Sequence, residues 1–192
     1  MVRQLFLILI LASVPAMPAH AAAPSTNVYD IEVVVFENRL PDLEGGELWD
    51  RDPDKSASAD MKDAVSVGEV PAADSSLSAT ATALESSGRH HVLAHLHWQQ
   101  SAEAKSVSKP VKVVSTEGAL DGALRFYSSR FLLLDVNLTL REAASGGVTA
   151  GAEQIAPVYR LTEARRVKSS ETYYFDHPKF GALVRISPVK AN

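Results

Sequence analysis

Four of the six histidines fall in one short stretch, as His90, His91, His95 and His97. On an extended strand His91, His95 and His97 share a face, because side chains alternate with period two. Imidazoles two residues apart on one face can share a metal such as zinc. The local sequence specifies no carboxylate partner for them. A polar strand face or a binding surface is therefore preferred over a metal centre.

Three other constellations invite chemistry. Asp50, Asp52 and Asp54 imitate the start of a calcium loop. Such a loop wants glycine at its sixth position and glutamate at its twelfth, and Lys55 and Met61 stand there instead. Asp176-His177, near several serines, suggests a hydrolase. A triad, however, needs a base oriented by a separate acid and aimed at a nucleophile, and neighbours on one chain point apart. A turn is the better role for that pair. Finally, Arg160, Arg165, Arg166 and Lys168 crowd the end of one predicted strand. Tyr173 and Tyr174 interleave, and Lys179 and Arg185 follow. Arginine offers a planar fork for carboxylates and phosphates. The alternative is a solvated edge strand whose positive charges discourage aggregation.

Composition narrows the field. The chain has 192 residues, 46% hydrophobic and 22% charged, with formal net charge -4 and no cysteine. The length suits a single domain with a sizeable core, and the hydrophobic share excludes wholesale disorder. A small negative charge argues against a general nucleic-acid binder, which needs a basic surface. The lack of cysteine removes disulfides, thiolate zinc sites, iron–sulfur clusters, a cysteine nucleophile and a lipid-modified cysteine.

The N-terminus reads as an address. Arg3 is followed by an apolar run from Leu5 to Val14, then Pro15 and Pro18, then Ala19-His20-Ala21 as a small-x-small cleavage site. This predicts a signal peptide over 1–21, cut before Ala22. The apolar run is shorter than the ~20 residues that span a bilayer, so no membrane anchor is expected.

Charge is uneven along the rest. Residues 22–104 hold five basic and fifteen acidic side chains, and residues 105–192 hold thirteen basic and eight acidic. Such asymmetry suggests different faces or partners for the two halves. An acidic loop that merely solubilises the fold is the alternative.

The positioning elements follow from periodicity. Tyr29–Asn38 is apolar on both faces, as a central strand would be. Residues 39–73 are rich in Asp, Glu, Gly, Pro and Ser and predict a long flexible acidic loop. Asp74–Ser87 predicts a helix, with Asp74 as N-cap, Leu77, Ala81 and Leu84 as its stripe and Gly88 as its stop. A second strand spans His90–Gln99, and a weak one surrounds Val111–Val114. Gly122–Glu142 predicts an antiparallel hairpin turning at Ser128-Ser129. In its second arm Leu132, Leu134, Val136, Leu138 and Leu140 face one way. Val158–Lys168 is another strand, with Tyr159, Leu161 and Val167 inward. Glu171–Phe175 and Ala182–Val189 are strand-like around a corner at Asp176, His177, Pro178 and Gly181. The expected fold class is α+β. It is a single domain, 22–192, with a mostly antiparallel sheet of about five to six strands and one main helix on a face.

The C-terminal run carries a resemblance. Tyr159-Arg160-Leu161, Arg165-Arg166, Glu171 and the stretch Tyr174-Phe175-Asp176-His177-Pro178-Lys179-Phe180-Gly181-Ala182-Leu183-Val184 resemble the CsiV-type peptidoglycan-binding protein family. Tyr29–Asn38, Trp49, Ser87-Gly88-Arg89, His95-Leu96-His97-Trp98 and Leu124–Leu132 agree with it. The resemblance implies a periplasmic protein of Gram-negative bacteria that binds peptidoglycan and supports septal wall synthesis. It implies links to a bifunctional penicillin-binding protein and its outer-membrane lipoprotein activator, and no cofactor. The residues expected to contact the wall are Arg160, Arg165, Arg166, Lys168, Tyr173, Tyr174, His177 and Trp98, with Trp49 toward a protein partner. The alternatives are a metal-dependent hydrolase using the histidine strand and a purely structural accessory domain.

Overall fold

A computed structural model describes residues 27–39, 61, 63–67, 75–142 and 157–189. Eight strands and one short helix follow in the order β1 (Val28–Asn38), α1 (Ser78–Ser86), β2 (His90–Ser101), β3 (Val111–Val114), β4 (Leu120–Ser128), β5 (Leu132–Arg141), β6 (Val158–Val167), β7 (Glu171–His177) and β8 (Phe180–Pro188). The strands form two four-stranded sheets, β2-β1-β8-β7 and β3-β4-β5-β6, and every neighbouring pair is antiparallel. The expected mostly antiparallel architecture with one helix is present. The expected five to six strands become eight, divided between two sheets. Periodicity identifies strands one at a time but carries no information on how they are shared between sheets.

The two sheets pack around one core. From the first sheet come Ile31, Val33, Val35, Phe175, Val184 and Ile186. From the second come Leu124, Phe126, Leu134, Val136, Leu138 and Leu161. β1 is central, as its two apolar faces require. Its odd-numbered residues enter the core, while Val34 joins Leu77 and Ala81 of the helix segment on the other face. The stripe Leu77, Ala81, Leu84 therefore lies where its spacing placed it. Gly88 ends the helix with φ +66°, a left-handed turn that suits glycine.

The helix begins later than its sequence suggested. It starts at Ser78, and Leu77 at the cap position supplies no side-chain hydrogen bond. The proposed cap, Asp74, lies outside the described residues. Much of the predicted loop 39–73 also lies outside them. Val65, within it, makes a parallel bridge with Val111, exchanging Val65 N–H to Pro110 O at 2.9 Å and Lys112 N–H to Val65 O at 2.8 Å. The outer edge of β3 is thus paired there.

Candidate functional site

The four clustered cations are separated by strand alternation. β6 pairs with β5 so that Leu161 lies opposite Leu138 and Val167 opposite Leu132. Odd-numbered β6 residues share the core side with those leucines. Arg165, opposite Leu134, is on that side. Arg160, opposite Thr139, and Arg166, opposite Leu133, are on the outer side. The expected single basic surface is therefore two.

On the inner side Arg165 closes the seam between the sheets. It bridges Glu163 at 2.5 Å, donates Nη1–H to the Tyr174 carbonyl at 3.1 Å and lies 4.8 Å from the Phe175 ring centroid. Beside it Tyr173 donates its hydroxyl to Glu171 at 2.6 Å and accepts the Lys168 N–H at 2.7 Å, while Lys168 Nζ lies 3.5 Å from Glu171. Burial, reinforced by the Glu171 carboxylate, pushes the Tyr173 hydroxyl up. Tyr174 points the other way, onto the helix-bearing face. Its ring stacks on Phe36 with centroids 6.2 Å apart, and its hydroxyl donates to Asp176 at 2.6 Å. Burial, then the bond and charge of Asp176, raise its pKa strongly. Tyr173 and Tyr174 thus serve different faces.

Two expected wall contacts are core residues. Trp98 is 8% exposed and His177 is 2% exposed, so neither offers a surface to a polymer. Trp98 satisfies its indole by donating to Gln100 Oε1 at 2.7 Å. His177 packs between Tyr159 and Phe180, and its Nδ1 accepts the Lys179 N–H at 3.1 Å. Burial lowers its pKa against the opposing pull of Asp176, so the ring is held neutral further into acid. The predicted corner at Asp176–Gly181 is a tight hairpin between β7 and β8, and its histidine faces inward. Trp49 lies outside the described residues.

On the outer side Arg166 stacks on Phe131, its guanidinium carbon 3.5 Å from the ring centroid, and Arg130 approaches the same ring at 5.5 Å. Phe131 is 39% exposed.

The histidine strand is organised by carboxylates from two other elements. An irregularity between Val35 and Phe36 leaves Leu93 unpaired on β2. His95 and His97 stay opposite Val34 and Glu32, whereas His91 lies opposite Glu37. The three histidines expected on one face are therefore split. His95 Nε2 meets Glu32 at 2.7 Å, His97 Nε2 meets Asp30, and His91 Nδ1 meets Glu85 at 3.1 Å. Among the described residues no three His, Asp or Glu side chains form a group that could hold a metal ion. Ser75 adds a hydroxyl, but Ser75 Oγ and Glu32 both address His95 Nε2, and Ser75 also bonds Glu32 directly. A triad needs the nucleophile and the acid on opposite ring nitrogens, so this is not one.

Glu32 is the centre that sequence reasoning missed. It is 2% exposed and accepts Ser76 N–H at 2.8 Å, Ser76 Oγ–H at 2.5 Å and Leu77 N–H at 3.1 Å, besides Ser75 and His95. Burial opposes its ionisation, yet these bonds outweigh burial and hold its pKa below the ordinary range. An acid between Ile31 and Val33 in a central strand was the available signal, because a buried charge demands partners.

Two four-stranded antiparallel sheets packed around one core define a β-sandwich. The chain matches the model of the family described as peptidoglycan-binding protein, CsiV, over residues 4–189, and it belongs to that family. No curated protein and no solved structure matches the chain.

Proposed function

We propose that this chain is a non-enzymatic periplasmic protein that binds peptidoglycan and supports septal wall synthesis. On this reading residues 1–21 are a cleaved export signal. The folded remainder acts as an adaptor for a bifunctional penicillin-binding protein and its outer-membrane lipoprotein activator. Membership of a peptidoglycan-binding family over nearly the whole chain carries the reading. The polarity of the sequence supports it. Residues 22–104 are acidic and residues 105–192 basic, a charge asymmetry that suits the two halves to different partners.

The test is sedimentation of the purified mature chain with protein-free sacculi at low and moderate salt. Pelleting that weakens with salt is expected, because charged surface contacts are screened. No pelleting at either salt would overturn direct wall binding. Weight would then pass to the structural accessory role, which predicts a stable complex with wall-synthesis proteins and no affinity for sacculi.

A further inference from the structure

The outer end of the β5–β6 pair carries an exposed cluster of Arg130, Phe131 and Arg166. Arg166 and Leu133 are direct cross-strand partners, and Tyr127 of β4 is the next residue across, opposite Leu133. Phe131 precedes β5, with Arg166 and Arg130 both drawn to its ring. Several cations elsewhere are paired with carboxylates. Arg165 pairs with Glu163, Lys168 with Glu171, Lys179 with Glu142 and Lys105 with Asp135. Among the described residues Arg130 and Arg166 have no carboxylate partner, and both are exposed.

This arrangement has a definite chemistry. Stacking on Phe131 fixes the plane of the Arg166 guanidinium and occupies its face, while its N–H edges remain available for a bidentate acceptor. The Arg130 guanidinium approaches the same ring, so an anion bound there meets two positive charges. The exposed phenyl ring and Leu133 supply apolar surface next to the charges. Such a site fits a carboxylate on a short aliphatic chain better than an uncharged sugar.

We propose that Arg130, Phe131 and Arg166 form the site that takes the carboxylates of the peptide portion of peptidoglycan. The inference rests on the wall-binding reading above and names the face and the moiety. None of the seam residues Arg165, Lys168 or Tyr173 is needed for it.

The experiment compares pelleting of the mature chain and its variants with intact sacculi, with and without soluble wall peptide as competitor. The double variant Arg130→Ala with Arg166→Ala should bind intact sacculi about tenfold more weakly, the scale of losing charge-assisted hydrogen bonds. Arg166→Lys keeps the charge but loses the fork and the stack, and should also weaken binding. Lys109→Ala with Lys112→Ala removes the same charge from the β3 side and should bind as the unmodified chain does. Soluble wall peptide should displace the unmodified chain from sacculi, and a failure to displace it would overturn the peptide assignment. Circular dichroism confirms that each variant is folded.

If the unmodified chain pellets and the double variant pellets equally well, the site is wrong while wall binding stands. If the control double variant loses as much as Arg130→Ala with Arg166→Ala, the effect is bulk charge and the site is likewise wrong. If the unmodified chain fails to pellet, the wall-binding reading falls and this site falls with it.

Discussion

Glu32 accepts the backbone N–H of Leu77, 45 residues along the chain, at 3.1 Å, so a strand carboxylate caps the helix that Leu77 opens. The first N–H groups of any helix lack internal partners, and a negative charge near them is favourable. Here that role passes from the expected local cap to a residue of the central strand. The same carboxylate holds His95 of β2 at 2.7 Å, so β1, β2 and α1 meet at one group. Replacing it by alanine leaves several buried donors unsatisfied. Glu32→Ala should cost about 3 kcal/mol of stability, in the range for lost hydrogen bonds to a charged group. Glu32→Gln, which keeps an acceptor oxygen, should cost less. Urea unfolding of both variants checks the order.

Two groups make the fold acid-sensitive in separate windows. The folded pKa of Glu32 is lowered, so its contribution is complete above the ordinary glutamate value of about 4.3 and is lost as pH falls through the lower folded value. The folded pKa of His177 is lowered by burial, so the unfolded chain takes up that proton first. Stability should therefore also fall as pH drops below about 6.5 toward the folded value. Unfolding free energy measured from neutral pH into acid should decline in both windows. The decline in the more acidic window should flatten in Glu32→Gln, and the upper one in His177→Gln.

Trp98 separates stability from binding. As a core residue it should cost about 3–5 kcal/mol when truncated to alanine. Trp98→Phe, which keeps most of the volume, should remain folded and pellet with sacculi as the unmodified chain does. Reduced pelleting of folded Trp98→Phe would restore the indole as a wall contact.

At Gly122 the neighbouring strand β5 leaves no room for a Cβ on β4. A Cβ there would overlap the Asn137 carbonyl and lie 2.8 Å from Leu138 Cα, both parts of the neighbouring backbone. Gly181 is also tight, but its obstacles include the side chains of Tyr174 at 2.7 Å and Phe36 at 2.9 Å. Tyr174 is exposed and can swing outward, whereas a paired strand cannot. Gly122→Ala should therefore lower the melting temperature more than Gly181→Ala, with costs of about 1–3 kcal/mol typical of overpacking. Parallel thermal melts decide the order.

Much of this architecture was legible in single segments. The alternation of Leu132 to Leu140 placed Leu134, Val136, Leu138 and Leu140 in the core, where they lie, with Leu132 partly buried against it. Tyr159, Leu161 and Val167 face inward as their spacing required, and the stripe of α1 packs as expected. The candidate site was legible only by residue type. Arg165 and Arg166 look equivalent in the chain, yet one closes a seam and the other stands on the outer face with Phe131. His91, His95 and His97 look like one face until Leu93 is left out of the pairing.

The sequence by itself determined which segments are strands, which side of each is apolar and, through motif resemblance, which family the chain joins. These are local properties, set by alternation and by runs of particular residues. Only the tertiary structure decided that eight strands divide into two sheets, that Glu32 caps α1, that Trp98 and His177 are interior, and that Arg130 and Arg166 share Phe131. Each of those depends on which residue lies across from which. Strand pairing sets that through contacts between residues far apart in the chain, and a period-two pattern is the same whatever strand stands beside it.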